Sequence, residues 1–356
     1  MKLFKSLLVA PATLGLLAPV AATANEVTIN DFNAAEEIAV TNSRVDGLET
    51  RFNDLEAGSF SETTTASFGV DFLVGATDGA ASEATTFSYQ MGIGLETSFT
   101  GEDSLSATID IGEAAGIGTG TTTGLNFDSN KNVLTLDGLA YTFPLGGATV
   151  LVGDQTDVSA VYTGACAYSS FTDYMGNCGT GNTVGLGGKG VTAAMSYAFD
   201  SGFSLAGGIS SEPDNILTSA GTDIYGIEAA YTADSYGVAV AYADNEASTA
   251  WGVNGYYAFD FATLSAGVES VDSGTTAEGF FVGLSFPEVG AGSLDIGMGT
   301  TANFADGVDE TYMYEASYSY PVNDGMTITP GVFITEGAGT GGGDVTGVAV
   351  KTSFSF

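Results

Sequence analysis

The last ten residues, Gly347-Val348-Ala349-Val350-Lys351-Thr352-Ser353-Phe354-Ser355-Phe356, alternate apolar with small or polar side chains and stop on an aromatic ring. Val348, Val350, Phe354 and Phe356 share one parity; Ala349, Lys351, Ser353 and Ser355 share the other. Successive strand side chains point to opposite faces, so one face of such a strand suits lipid and the other suits water. A single strand of this kind also suits the edge of a soluble sandwich, so the rest of the chain has to decide.

From about Phe60 onward the same two-residue period persists. Phe68, Val70, Phe72 and Val74 alternate with Gly69, Asp71 and Leu73, and Phe87, Tyr89, Met91, Ile93 and Leu95 hold one face of the next segment. The device returns in Tyr225-Ile227-Ala229-Tyr231, in Phe280-Val282-Leu284-Phe286 and in Tyr312-Tyr314-Ala316-Tyr318-Tyr320. Turn signals separate the runs: Asp78-Gly79, Gly101-Glu102-Asp103, Asp200-Ser201-Gly202, Asp306-Gly307 and Asn323-Asp324-Gly325. At roughly 18 residues per strand and connection, residues 60–356 predict an all-β, transmembrane antiparallel β-barrel of about 16 strands.

The other end of the chain has a different character. Met1 to Lys5 is basic, Leu7 to Val20 is an apolar core broken by Pro11 and Pro19, and Ala22-Thr23-Ala24 suits cleavage, so residues 1–24 are expected to be a signal peptide. Residues 25–37 form a short polar, acidic segment. Over 38–57, Ile38, Thr41, Val45, Leu48, Phe52 and Leu55 fall at alternating three- and four-residue steps, which predicts an amphipathic, coiled-coil-like helix on the periplasmic side. It is marginal as an isolated coiled coil and is expected to zip chains together where something else holds them close; a helix docked on another surface or plugging the barrel is the alternative.

Several function classes are excluded by what the chain lacks. It has no histidine, which removes imidazole zinc sites and Ser-His or Cys-His nucleophile pairs. No catalytic residues, metal or cofactor are expected. Seven basic residues face 43 acidic ones; without Lys2 and Lys5 the balance is five against 43, a net of −38. That field repels nucleic acid and attracts cations. The glycine-rich runs Gly116–Gly120 and Gly185–Gly188 lack the Lys-Ser/Thr that phosphate loops need and are read as turns.

Asp71, Glu96, Asp110, Glu228, Glu269, Asp295 and Glu315 each sit mid-segment on the parity opposite the apolar stripe. A charge facing lipid costs a few kcal/mol, and a hydrated interior removes that cost. These seven are therefore expected to line an acidic, water-filled channel. Lys351 is the basic residue placed mid-strand facing inward, where it could pair with an acid on a neighbouring strand. One connection, from Leu151 to Val191, loses the alternation and carries Tyr162, Tyr168, Phe171, Asp173 and Tyr174 with both cysteines of the chain. In an oxidising compartment Cys166 and Cys178 are expected to form a disulfide, worth about 3 kcal/mol of loop entropy in the chain-entropy account. A stapled, aromatic-rich loop is expected to fold into or over the pore and set its width; an exterior cap is the alternative.

Val40-Thr41-Asn42-Ser43-Arg44-Val45-Asp46-Gly47-Leu48-Glu49-Thr50-Arg51-Phe52 and its continuation to Ser61 are similar to the joint between coiled coil and barrel in cyanobacterial Som-type porins. Thr63 to Gly69 resembles their first strand, and Leu136 to Gly146, containing Tyr141-Thr142-Phe143-Pro144-Leu145, looks like a piece shared with OprB-like carbohydrate porins. The terminal Phe354 and Phe356 look like the signal read by the outer-membrane assembly machinery. The resemblance implies a homotrimeric outer-membrane porin that passes small hydrophilic solutes, sugars or inorganic ions; the inward carboxylates add an expected preference for cations or neutral solutes over anions. Som-type proteins usually carry an S-layer-homology domain before the coiled coil; only about a dozen residues separate the expected cleavage site from the helix here, so a short form is expected. The competing expectation is a structural barrel that organises the envelope and conducts little.

Overall fold

The computed structural model describes residues 64–81, 83–113, 132–181, 189–212, 216–218 and 221–356, together with Arg44, Leu125 and Thr183. The expected signal peptide (1–24), acidic segment (25–37), helix (38–57) and both glycine runs lie outside the described residues, Arg44 excepted.

The alternating segments form strands. They are β1 (Thr64–Asp78), β2 (Thr86–Thr97), β3 (Ser104–Glu113), β4 (Thr135–Leu145), β5 (Ala148–Thr156) and β6 (Gly190–Ala198). There follow β7 (Phe203–Glu212), β8 (Thr222–Thr232), β9 (Tyr236–Asp244), β10 (Thr249–Ala258), β11 (Thr263–Asp272) and β12 (Thr276–Val289). Last come β13 (Gly292–Thr300), β14 (Phe304–Ala305), β15 (Tyr312–Asn323), β16 (Met326–Thr335) and β17 (Val345–Ser355). The two-residue β14 is a hairpin flap on β12. The other sixteen each pair antiparallel with the next, and β17 pairs back onto β1, so the sheet closes and leaves no edge.

Closure runs from Gly69↔Ser355 to Asp78↔Thr346. Phe68 and Phe356 exchange both backbone bonds, at 2.8 and 3.0 Å, and their rings stack with centroids 5.8 Å apart. The connections alternate in length around the barrel. At the end where β1 begins and β17 stops they are short, as in Gly146-Gly147 with both φ positive, a hairpin geometry that glycine adopts without strain. At the opposite end several are longer, and the connection between β5 and β6 has the most residues.

Which face is which follows from β9. Ala239, Ala241 and Ala243 are 3, 8 and 1% exposed, while Val238, Val240 and Tyr242 are 41, 49 and 43% exposed. Small side chains point in and large apolar ones point out, the reverse of a soluble core. An aromatic belt runs outside the short-turn end, with Tyr141 on Phe143, Tyr197 on Phe199, Phe203 on Tyr231 and Tyr257 on Phe259 at centroid distances of 4.7–5.4 Å.

Candidate channel and its inward loop

Residues 157–181 leave the rim after β5 and enter the barrel. Asp157 caps the first turn, Val158–Val161, by accepting the Ser159 amide at 2.7 Å. Further along, Cys166 and Cys178 are joined by a disulfide with Cα atoms 5.6 Å apart, closing a segment that ends in the tight turn Asp173–Gly179. Asn177, Cys178 and Gly179 all have positive φ, an arrangement stabilised by the surrounding contacts.

Those contacts are made possible by glycines on the inner wall. A Cβ on Gly226 of β8 would lie 2.4 Å from Tyr162 and Val158, one on Gly252 of β10 2.6 Å from Thr183, and one on Gly267 of β11 2.1 Å from the Cys178 carbonyl. The track continues through Gly283 and Gly297, which receive the Tyr168 ring, to Gly331 of β16, which receives Phe171. The loop thus lies across the wall from β8 to β16, and every strand that would hit it carries no side chain at the crossing named.

Three inward carboxylates anchor it. Glu228 of β8 accepts the Thr163 amide at 2.7 Å and the Gly164 amide at 3.2 Å. Glu269 of β11 accepts the Thr183 amide and hydroxyl at 2.7 and 2.8 Å, and Asn303 donates to its other oxygen at 3.1 Å. Glu315 of β15 accepts the Tyr168 hydroxyl, the Phe171 amide and the Thr172 amide and hydroxyl, all within 2.9 Å. Between them Asn254 of β10 accepts from the Ala165 amide and donates to the Thr180 hydroxyl, both at 3.0 Å, joining the two arms on either side of the disulfide. Burial, with Glu315 beside it, pushes the Tyr168 phenol well above its ordinary range, so it stays a donor; burial and the carboxylates of Glu228 and Asp157 do the same to Tyr162.

Apolar contacts complete the docking. Tyr168, Phe171 and Cys178 join Leu73, Leu125, Phe281, Met313, Phe333, Val345 and Ala349 in one buried cluster inside the barrel, with Tyr168 and Phe281 centroids 4.9 Å apart. A cavity of about 470 Å³ remains between loop and wall, lined by Tyr162, Thr163, Thr180, Glu228, Asn254 and Tyr256 among others.

All eight charged residues expected to line the channel occupy the inward parity, but their surroundings differ. Glu228, Glu269 and Glu315 are 2–3% exposed beneath the loop. Asp295 is buried and takes a hydrogen bond from Ser285, and Asp110 is buried on β3. Asp71 is half-buried and Glu96 exposed. Among the described residues the single ion pair is Lys189 with Asp137, and Lys351 pairs with no described carboxylate. Its neighbours across the ladders are Leu73 and Thr329, which offer no charge. Of the loop residues, Tyr162, Tyr168 and Phe171 contact the wall; the side chains of Asp173 and Tyr174 lie outside the described set. Asn254, Thr172, Thr183, Phe281 and the glycine track were not singled out from sequence. The one signal they leave is glycine recurring on the inward parity of consecutive strands.

No family model matches the chain. An uncharacterised protein of Nostoc sp. is 34% identical over 154 residues, covering 36% of this chain and 27% of that protein. The chain therefore spans about a quarter of the length of the curated relative it matches. Among solved structures, OprB of Pseudomonas putida superposes with a TM-score of 0.66 at 13% identity, covering 87% of this chain and 97% of that one. A loop-deletion mutant of OmpT, an outer-membrane protein of Vibrio cholerae, gives 0.60 at 11% identity over 83% of this chain and all of that one. A mutant of the Rh. blastica porin gives 0.54 at 17% identity, covering 82% and 100%. The fold is that of these barrels.

Proposed function

We propose that this chain is an outer-membrane porin through which small hydrophilic solutes and ions diffuse passively, cations and neutral solutes such as sugars before anions. The observation that carries the reading is the inward loop. A stapled, hydrogen-bonded loop docked along the inner wall supports a lumen narrowed to a constriction. The apolar outer face and the aromatic belt at the short-turn end support a bilayer around the barrel, and the likeness of fold to OprB, to OmpT and to the Rh. blastica porin supports the outer membrane as its location. The acidic balance of the chain supports the preference against anions. On this reading its partners are lipid, permeating solutes, the assembly machinery that recognises Phe354 and Phe356, and two further copies in a homotrimer of the short Som-type form.

The test is reconstitution of the purified protein in a planar bilayer under a salt gradient. Discrete current steps with a cation-selective reversal potential are the expected result. A folded barrel that gives no steps turns the reading to the structural alternative, for which the apolar cluster inside the lumen speaks. Removing residues 38–56 then separates the two, because a porin still conducts whereas an envelope linker loses its partner.

A further inference from the structure

The inner wall is divided, and the division assigns different work to carboxylates that the sequence makes alike. On the covered side, a Cβ added at Gly226, Gly252, Gly267, Gly283, Gly297 or Gly331 would strike a loop atom at 2.1–2.6 Å. On the other side, a Cβ on Gly92 of β2 would meet nothing within 4 Å, and one on Gly69 of β1 would only touch the backbone of Phe354. The β1–β2 wall is therefore open at those two positions, whereas farther along the same side Leu73 of β1 and Val345 and Ala349 of β17 are buried in the loop's cluster.

Each carboxylate anchor on the covered side is engaged by the loop. Glu315 accepts four hydrogen bonds from the loop, Glu269 accepts two from Thr183, and Glu228 is held by two successive amides. Oriented N–H and O–H dipoles terminate much of the field of such a carboxylate, and the loop backbone keeps a passing ion away from it. Asp71 and Glu96 stand on the open wall, on strands that pair with each other, and Glu96 is exposed. Lys351 shares this wall: it lies opposite Leu73, two residues along β1 from Asp71.

We propose that ion preference is set on the open wall, by Asp71 and Glu96 with Lys351 set against them, and that Glu228, Glu269 and Glu315 are positioning residues for the loop that contribute little to it. The proposal rests on the barrel being a conducting pore. It departs from a uniform acidic ring, because five of the seven carboxylates are buried and three of those are used up by the loop.

The experiment measures reversal potentials of the full chain in planar bilayers under a potassium chloride gradient. One unit charge at about 8 Å in water shifts a local ion population about twofold, so D71N/E96Q is expected to lower the cation-to-anion permeability ratio by about that factor or more and K351Q to raise it by about twofold. E228Q, E269Q and E315Q are expected to keep the wild-type ratio while increasing open-channel current noise. Attaching a negatively charged sulfonatoethyl group to E96C restores selectivity lost in that variant, which guards against a folding artefact. A ratio that falls in the three Glu→Gln anchor variants but holds in D71N/E96Q overturns the proposal. Wild-type protein that is folded yet silent overturns the pore reading itself, and that outcome is visible before any variant is made.

Discussion

Glu315 takes four hydrogen bonds from the short stretch Tyr168–Thr172, so its loss leaves several buried donors without acceptors. Each such donor costs about 1–3 kcal/mol. E315A is accordingly expected to raise amide exchange across residues 168–172 by well over tenfold, with little change in strands distant from β15. Gly267→Val acts from the other side of the same contact: its Cβ would enter the space of the Cys178 carbonyl, so the loop tip lifts and single-channel conductance changes. Asp103, in the turn between β2 and β3, behaves differently. The Tyr141 hydroxyl at 2.7 Å is the main reason its carboxyl titrates well below the usual range, with the Thr100 and Ser98 donors adding to the effect and burial opposing it. A depressed folded value means this contribution is fully present above the ordinary carboxylate pKa of about 4 and is lost as pH falls through the lower folded value. Acid unfolding of wild type below pH 4 should therefore show a component that D103N lacks, while the two proteins keep the same slope between pH 5 and 8. At this scale much was legible. The inward parity of all eight charged residues and the turn glycines Gly79, Gly101, Gly202 and Gly307, each with positive φ, follow from alternation and turn chemistry alone. What those carboxylates bind was not legible, because Thr163 lies 65 positions from Glu228 and Thr172 lies 143 from Glu315.

The inward loop is the element whose behaviour the strand pattern predicts least. Its cysteines announce a staple, and its length and aromatic content announce a role, but the direction it folds is decided by the wall. Gly226, Gly252, Gly267, Gly283, Gly297 and Gly331 are each unremarkable in a glycine-rich chain. Their meaning is collective and depends on strand register, which no local window contains. The disulfide Cys166–Cys178 restrains the loop, and the carboxylates and Asn254 fix it in place. Removing the staple in C166S/C178S is expected to release about 3 kcal/mol of chain entropy in the unfolded loop. The anchors persist, so the channel stays open on average, with noisier current and faster proteolysis within residues 166–178 than in wild type. Because the carboxylate anchors are met by amide and hydroxyl donors and not by cations, raising salt is expected to leave the loop's exchange protection unchanged; screening weakens ion pairs far more than short, buried hydrogen bonds.

At the scale of the whole molecule, sixteen barrel strands and an all-β fold were readable from the two-residue period and the turn spacing. The periodicity could not specify the closing pair, since any strand with the right parity would serve; the seam is identified by Phe68 meeting Phe356 in both backbone and ring contacts. Deleting Phe356 removes the stacked ring and one pair of terminal hydrogen bonds. It is expected to lower the temperature at which the barrel loses its compact gel mobility, and to slow assembly in vesicles, with the finished barrel keeping its β-sheet circular dichroism. The cluster around Tyr168 adds a further consequence. Its members include Leu73 from the first strand, Val345 and Ala349 from the last and Phe281 from the middle of the chain, and they come together only after the two ends have met. The loop therefore has no complete seat on a half-zipped sheet. Docking is completed after cyclisation, and burial of the loop's cluster becomes a clock for when the last strand has found the first.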